Sequence, residues 1–100
     1  MDIYYFMIQA EPLDCNTEKA QHLGAYVNCW VKAENSDSAI EQACGYINNE
    51  EWKPLKVEEH FIPERAEYLE QGLEASLKCY DQAVEEGISG IFYCYTEEDC

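Results

Sequence analysis

The residues best suited to bind a metal lie close together in the first quarter of the chain. Asp14, Cys15, Glu18 and His22 fall within a single short stretch and combine hard and soft ligand types. On a helix, Glu18 and His22 would share a face because they are four residues apart. Zinc sites, however, usually show tighter paired spacing of their ligands. We therefore interpret this stretch as a solvated polar loop and predict no metal site.

Two further segments match catalytic or ion-binding motifs only in part. The segment 87–91 is similar to a serine nucleophile elbow, but Ile91 stands where that motif needs its second glycine. The acidic segment 81–85 has Ala83 in place of an oxygen ligand, so it does not match a calcium-binding loop. No nucleophile and base stand at a recognisable spacing. We predict no catalytic residue and no cofactor, and a binding protein rather than an enzyme.

A third titratable cluster, Glu58-Glu59-His60, lies in a stretch with the composition of a strand. On a regular strand, Glu58 and His60 share one face, whereas Glu59 shares the other face with Val57 and Phe61. We expect the face of Val57 and Phe61 to meet the helices, with Glu59 at the rim of the core. Glu58 and His60 are then expected on the opposite face of the sheet.

The charge balance limits the possible partners. Twenty-one acidic residues against six basic ones give a formal net charge of −15. Nucleic acid and anionic membranes are poor partners for such a surface, because phosphate binding depends on clustered Lys and Arg. The simplest role of this charge is to keep a small protein in solution. A second role would be to attract a basic protein.

The location of the protein is predicted from its N-terminus and its cysteines. The first residues lack the basic leading region of a signal peptide, and no apolar run approaches the ~18 residues of a membrane span. The six cysteines include no Cys-x-x-Cys pair. We therefore expect reduced thiols and a cytoplasmic protein.

The elements that position these residues are organised around the segment 24–62, which predicts a strand, a helix and a second strand. The helix is expected to begin at Ser36 or Ser38, either of which could cap it. Before this unit, residues 2–10 predict a strand in the middle of the sheet, because their apolar residues occupy both phases. After it, residues 64–86 predict helix with a bend or break at Gly72, and residues 88–96 predict a last strand.

We therefore predict one α+β domain over residues 1–100, with a four-stranded mixed or antiparallel sheet and two main helices on one face. The order ββαβαβ is similar to the ferredoxin-like plait. A capped helix, a strand led by Trp52, and a helix ending in Glu85-Glu86-Gly87 before an aromatic strand also resemble small bacterial proteins of that fold. The resemblance covers roughly residues 26–95. It implies a fold and carries over no functional residue.

Helices on one face would leave the other face of the sheet open to water. The side chains predicted on that open face are mainly aromatic and polar: Tyr5, Met7, Tyr26, Asn28, Trp30, Glu58, His60 and Tyr93. Contiguous exposed patches of this kind mark interfaces or ligand sites. We predict that the protein forms a homodimer through this face. The structural alternative is that residues 11–23 or the C-terminal tail fold across it.

Two other functions stay open at this point. The negative charge favours an inhibitor or immunity-type protein that masks a basic partner. Alternatively, the same face could hold a small molecule, or the site of an enzyme, with Tyr26, Asn28, Glu58 and His60 as polar groups among aromatic ones.

Overall fold

The computed structural model describes residues 1–16 and 23–95. Four strands and three helices follow one another in these residues. Their bounds are β1 Asp2–Pro12, β2 Gly24–Ala33, α1 Ser36–Asn49, β3 Trp52–Phe61, α2 Arg65–Gln71, α3 Glu74–Glu86 and β4 Ile88–Tyr95.

The four strands form one sheet in the order β3-β1-β2-β4, and all three pairings are antiparallel. The predicted four-stranded sheet is thus confirmed, and β1 lies in its interior as its two-phase apolar pattern predicted. The ferredoxin-like topology is not confirmed. That motif places a helix between its first two strands, whereas here β1 and β2 follow one another and pair directly.

The helix α1 covers one face of the sheet. Its buried residues Ala39, Ala43 and Ile47 share a core with alternate residues of the two central strands. Residues directly opposite one another on an antiparallel pair of strands point to the same face. The pairs Phe6–Cys29, Ile8–Val27 and Ala10–Ala25 therefore form one continuous apolar layer beneath α1. The strand residues of that layer are Phe6, Ile8, Ala10, Ala25, Val27, Cys29, Val31 and Ala33.

The N-terminus of α1 is capped by Asn35. The Oδ1 atom of Asn35 accepts a hydrogen bond from the backbone N–H of Ser38 at 2.8 Å. The prediction of Ser36 or Ser38 as the cap is therefore wrong, and both serines lie inside the helix. Asn and Ser are equally good caps, so residue type alone could not show which of Asn35, Ser36 and Ser38 caps the helix.

The helices α2 and α3 lie on the opposite face of the sheet from α1. Ala83 of α3 packs in a second core with Ile3, Tyr5 and Trp30, which alternate with the residues beneath α1. The prediction that both main helices cover one face is therefore wrong, and the molecule has three layers. Because β1 is apolar in both phases, each of its faces needs its own cover.

The predicted break at Gly72 is confirmed and separates α2 from α3. Gly72 adopts a left-handed conformation with φ of 68°, which glycine tolerates without a Cβ clash. Arg65 of α2 then binds Asp81 of α3 through two hydrogen bonds, Nε to Oδ1 at 2.8 Å and the guanidinium to Oδ2 at 3.0 Å. This ion pair joins the two helices into one unit above the sheet.

Candidate functional site

The α2–α3 unit buries one end of the aromatic sheet face. Trp30 is 1% exposed, and its indole Nε1 donates a hydrogen bond to the Tyr68 hydroxyl of α2 at 3.1 Å. The ring of Tyr5 lies 5.1 Å from that of Trp30 and 4.6 Å from that of Phe61, measured between centroids. Tyr5 and Trp30, both predicted on an open face, are thus core residues of the covered end.

Burial also raises the pKa values of two tyrosine hydroxyls at this end of the sheet. Removal from water, with the negative charge of Glu59 as a smaller cause, raises the pKa of Tyr5 to about 12. Burial likewise raises the pKa of Tyr68, although the hydrogen bond from Trp30 opposes the change. Both hydroxyls therefore stay protonated near neutral pH, which suits them to structural hydrogen bonds and not to proton abstraction.

The other end of the same face has no helix above it among the described residues. Tyr26 of β2 and Tyr93 of β4 are directly opposite in the strand register and are 40% and 52% exposed. The ring of Tyr95 lies 5.6 Å from that of Tyr26. We call Tyr26, Tyr93 and Tyr95 the tyrosine surface.

Tyr95 is held in place by its neighbours on the sheet. Its ring packs over Gly24, where any Cβ atom would overlap the phenol. Its hydroxyl accepts a hydrogen bond from Nε2 of Gln9 at 3.5 Å. Gly24 is thus required by a close approach, and one side of the tyrosine surface is fixed by contacts to β1 and β2.

Asn28 lies at the border between the covered end and the tyrosine surface. In the register it stands between Met7 of β1 and Ile91 of β4, and all three side chains are half-buried. The Oδ1 atom of Asn28 is buried, and no described residue donates a hydrogen bond to it. An unsatisfied buried acceptor costs about 1–3 kcal/mol.

Glu58 and His60 do not join the tyrosine surface. The register shifts between Met7–Glu59 and Ile8–Val57, so one extra residue of β3 stands at a bulge. This shift places His60 opposite Phe6 and therefore on the α1 side, with Glu59 opposite Met7 on the aromatic side. The predicted faces of Glu59 and His60 are the reverse of those observed. Glu58 lies at the bulge, and a carboxylate oxygen is 4.0 Å from Nζ of Lys56.

His60 instead lines a cavity of about 280 Å³ at the far end of the sheet. Its other walls come from the N-terminal half of β1, from Ser36 and from Phe61 with the residue after it. Asn28 and Tyr26 do not line this cavity. Glu58 does not line it either, so the four polar groups proposed for one small-molecule site do not come together.

Sequence reasoning missed Tyr68 and Tyr95. Tyr95 is in phase with Tyr93, so continued alternation along β4 could have included it. Tyr68 gave no comparable signal, because its role depends on the placement of α2 over Trp30. Within α3, Cys79, Tyr80 and Ala83 pack on the sheet, whereas Val84 is exposed.

No metal centre is found in residues 1–16 and 23–95, where no three His, Cys, Asp or Glu side chains cluster suitably. Two of the four residues considered as ligands, Glu18 and His22, lie outside the described residues. Within the same described ranges, no helix is both long and apolar enough to cross a membrane.

Comparisons with known proteins give no relative from which a function could be carried over. No protein-family model matches the chain, and neither a curated protein nor a solved structure matches it. The function must therefore be argued from the surface itself.

Proposed function

We propose that this protein is a non-catalytic interaction protein that self-associates through the tyrosine surface. The observation that carries the proposal is the exposed pair Tyr26–Tyr93, opposite one another on adjacent strands. Tyrosine is enriched at protein interfaces, since its ring offers a large apolar area and its hydroxyl a hydrogen bond. Two such rings side by side form an anchor that a second copy could cover.

The distribution of charge supports a second copy as the partner. The strand β4, which carries Tyr93 and Tyr95, contains no Asp, Glu, Lys or Arg. Two chains of net charge −15 repel one another over most of their surfaces. An uncharged strand beside exposed tyrosines is the place where two copies can approach with the smallest electrostatic cost.

The chemistry of the buried nucleophiles supports a role without catalysis. The Ser89 hydroxyl, the serine of the partial elbow motif, donates a hydrogen bond to the carbonyl oxygen of Cys79. Burial raises the pKa of Cys29 to about 12 and also raises that of Cys79. The serine is thus committed to the backbone, and both thiols stay protonated and poorly nucleophilic near neutral pH.

The test is the solution mass by light scattering under reducing conditions, over protein concentrations from about 1 μM to about 100 μM. We expect a concentration-dependent dimer. The double variant Tyr26→Ser/Tyr93→Ser should shift the mass to that of a monomer. Leu69→Ser is the matched control, because Leu69 is a similarly exposed apolar residue on α2. A monomer throughout for the native chain, or a dimer that survives the double variant, would contradict the proposal.

A basic protein is the second candidate partner, and the net charge of −15 favours it. Such a partner would be an inhibited or masked protein whose positive surface is steered to this one. Ionic strength separates the two candidates, because salt screens both attraction and repulsion. Added salt should strengthen the homodimer and weaken a complex with a basic protein. Capture from cell extract at low salt, followed by release with salt, would favour the second candidate.

A further inference from the structure

The sheet has two edge strands, β3 and β4, and they differ in the features that discourage pairing with another chain. The edge of β3 carries Pro54, two lysines and two glutamates, and its register with β1 shifts twice. Proline, charge and bulges are the devices by which natural proteins protect an edge strand. The β3 edge is therefore protected against further pairing.

The edge of β4 has none of these devices. Its sequence from Ile88 to Tyr95 contains no charged residue and no proline. Its eight-residue register with β2 runs from Gly24–Tyr95 to Val31–Ile88 without a shift. Among the described strands, β4 pairs on one side only. Such a strand is a ready template for pairing with another strand.

The hydrogen bonds to β2 indicate which groups of β4 point outward. The backbone N–H of Lys32 donates to the carbonyl of Gly87 at 2.8 Å, which fixes the phase of the ladder. Alternation then directs the N–H and C=O groups of Ser89, Ile91 and Tyr93 toward β2. Those of Gly90 and Phe92 point away from the sheet.

We infer that two copies of this chain pair edge to edge through β4, antiparallel, to form one continuous sheet across both copies. This inference rests on the proposed self-association and specifies its geometry. A two-fold axis normal to the sheet at Ile91 would place Gly90 opposite Phe92 of the second copy. Each of these residues would then exchange both of its backbone hydrogen bonds across the interface.

A second copy is favoured over another partner by charge and by continuity. The pairing strand is identical in both copies and uncharged, so it brings no like charges directly opposite one another within β4. Because the axis is normal to the sheet, the tyrosine surfaces of the two copies would lie on the same face but at opposite ends of the interface, with Tyr93 opposite Ser89 of the second copy. The exposed Tyr93 would thus gain a neighbour from the second copy while the backbone groups of Gly90 and Phe92 are paired.

The test is amide hydrogen exchange, measured by NMR on the native chain at a concentration that gives a dimer and at one that gives a monomer. We expect the Gly90 and Phe92 amides to exchange at least about tenfold more slowly in the dimer. The amides of Ile91 and Tyr93 are the internal reference, since they already face β2 in the monomer. Amides of β3 that face away from β1 are the matched control and should not change.

Other outcomes separate the two proposals. A dimer whose Gly90 and Phe92 amides exchange as fast as in the monomer would overturn edge pairing and leave self-association through the tyrosine rings, stacked face to face. Amides already protected in the monomer would also overturn it, because another part of the same chain would then cover the edge. A monomer at every concentration would overturn both proposals.

Discussion

The two ends of the aromatic sheet face have similar residues but different environments. At one end, Tyr5 and Trp30 lie beneath α2 and α3, and Trp30 donates a hydrogen bond to Tyr68. At the other, Tyr26 and Tyr93 are opposite one another and exposed. At both ends, an aromatic side chain of β2 points to the same face of the sheet. The position of two helices therefore decides whether an aromatic residue stabilises the fold or is available for binding.

The largest expected difference between the two ends is in stability. Trp30→Ala should lower the free energy of unfolding by about 3–5 kcal/mol, because it empties the centre of the second core. Tyr26→Ala, at the uncovered end of the same strand, should change it by no more than about 1 kcal/mol. Urea unfolding at a monomeric concentration checks both values. Equal losses for the two variants would show that the ends do not differ in burial.

The hydrogen bond beneath α2 should contribute a smaller amount. Tyr68→Phe keeps the ring but leaves the buried indole N–H of Trp30 without its acceptor, at a cost of about 1–3 kcal/mol. The measurement is again urea unfolding. Because Tyr93 is exposed, Tyr93→Phe serves as the control and should leave stability almost unchanged. A neutral Tyr68→Phe would mean that the indole finds another acceptor.

Alkaline pH should weaken the covered end. The folded pKa of Tyr5 is about 12 against 10.0 for the ordinary side chain. Between these values the unfolded chain loses the Tyr5 proton while the folded chain retains it, so stability is full below pH 10 and falls as pH rises toward 12. Tyr5→Phe should make this decline shallower. Unfolding midpoints measured across pH 9–12 for both proteins provide the check, and identical slopes would contradict it.

At the uncovered end, a change should affect association far more than stability. Tyr93→Ser is expected to shift the free energy of unfolding of the monomer by about 0.5 kcal/mol or less. Its dimer should nevertheless dissociate at protein concentrations where the native chain stays paired. Light scattering and urea unfolding on the same samples separate these effects. A large stability loss without a change in mass would assign Tyr93 to the fold.

The smallest effect is expected at the exposed ion pair between α2 and α3. The hydrogen bond from Arg65 holds the pKa of Asp81 below its ordinary value, so the stabilisation is present above the ordinary pKa and is lost as pH falls through the lowered one. Solvent screens such exposed pairs. Asp81→Asn should therefore lower the melting temperature only slightly near neutral pH, and no longer do so in acid. Glu85→Gln, the same carboxylate-to-amide change at an exposed position of α3, is the control.

Much of the fold could be predicted from local patterns. The two-phase apolar pattern of residues 2–10 predicted the interior position of β1, and Gly72 marked the break between helices. The placement of α2 and α3 could not be predicted in the same way, because it depends on where the chain crosses the sheet after β3. One signal did point to it: β1 is apolar in both phases, which requires a cover on each face. That requirement conflicts with two helices on one face.

The candidate site was only partly predictable for a related reason. Tyr26, Asn28 and Tyr93 follow strict alternation on regular strands, and the structure brings them together. His60 follows a bulge, and a single extra residue moves every later side chain of β3 to the other face. The sequence Glu58-Glu59-His60 contains no glycine or proline that would have indicated the bulge.

The strand order has a consequence for how the chain reaches its folded state. β1 and β2 are neighbours in sequence and can pair early, whereas β4 must return from the opposite edge after two helices. Pairings between distant segments form slowly. Until β4 pairs, the outer side of β2 lacks a partner. An unpaired strand edge of this kind makes an incompletely folded chain prone to aggregation.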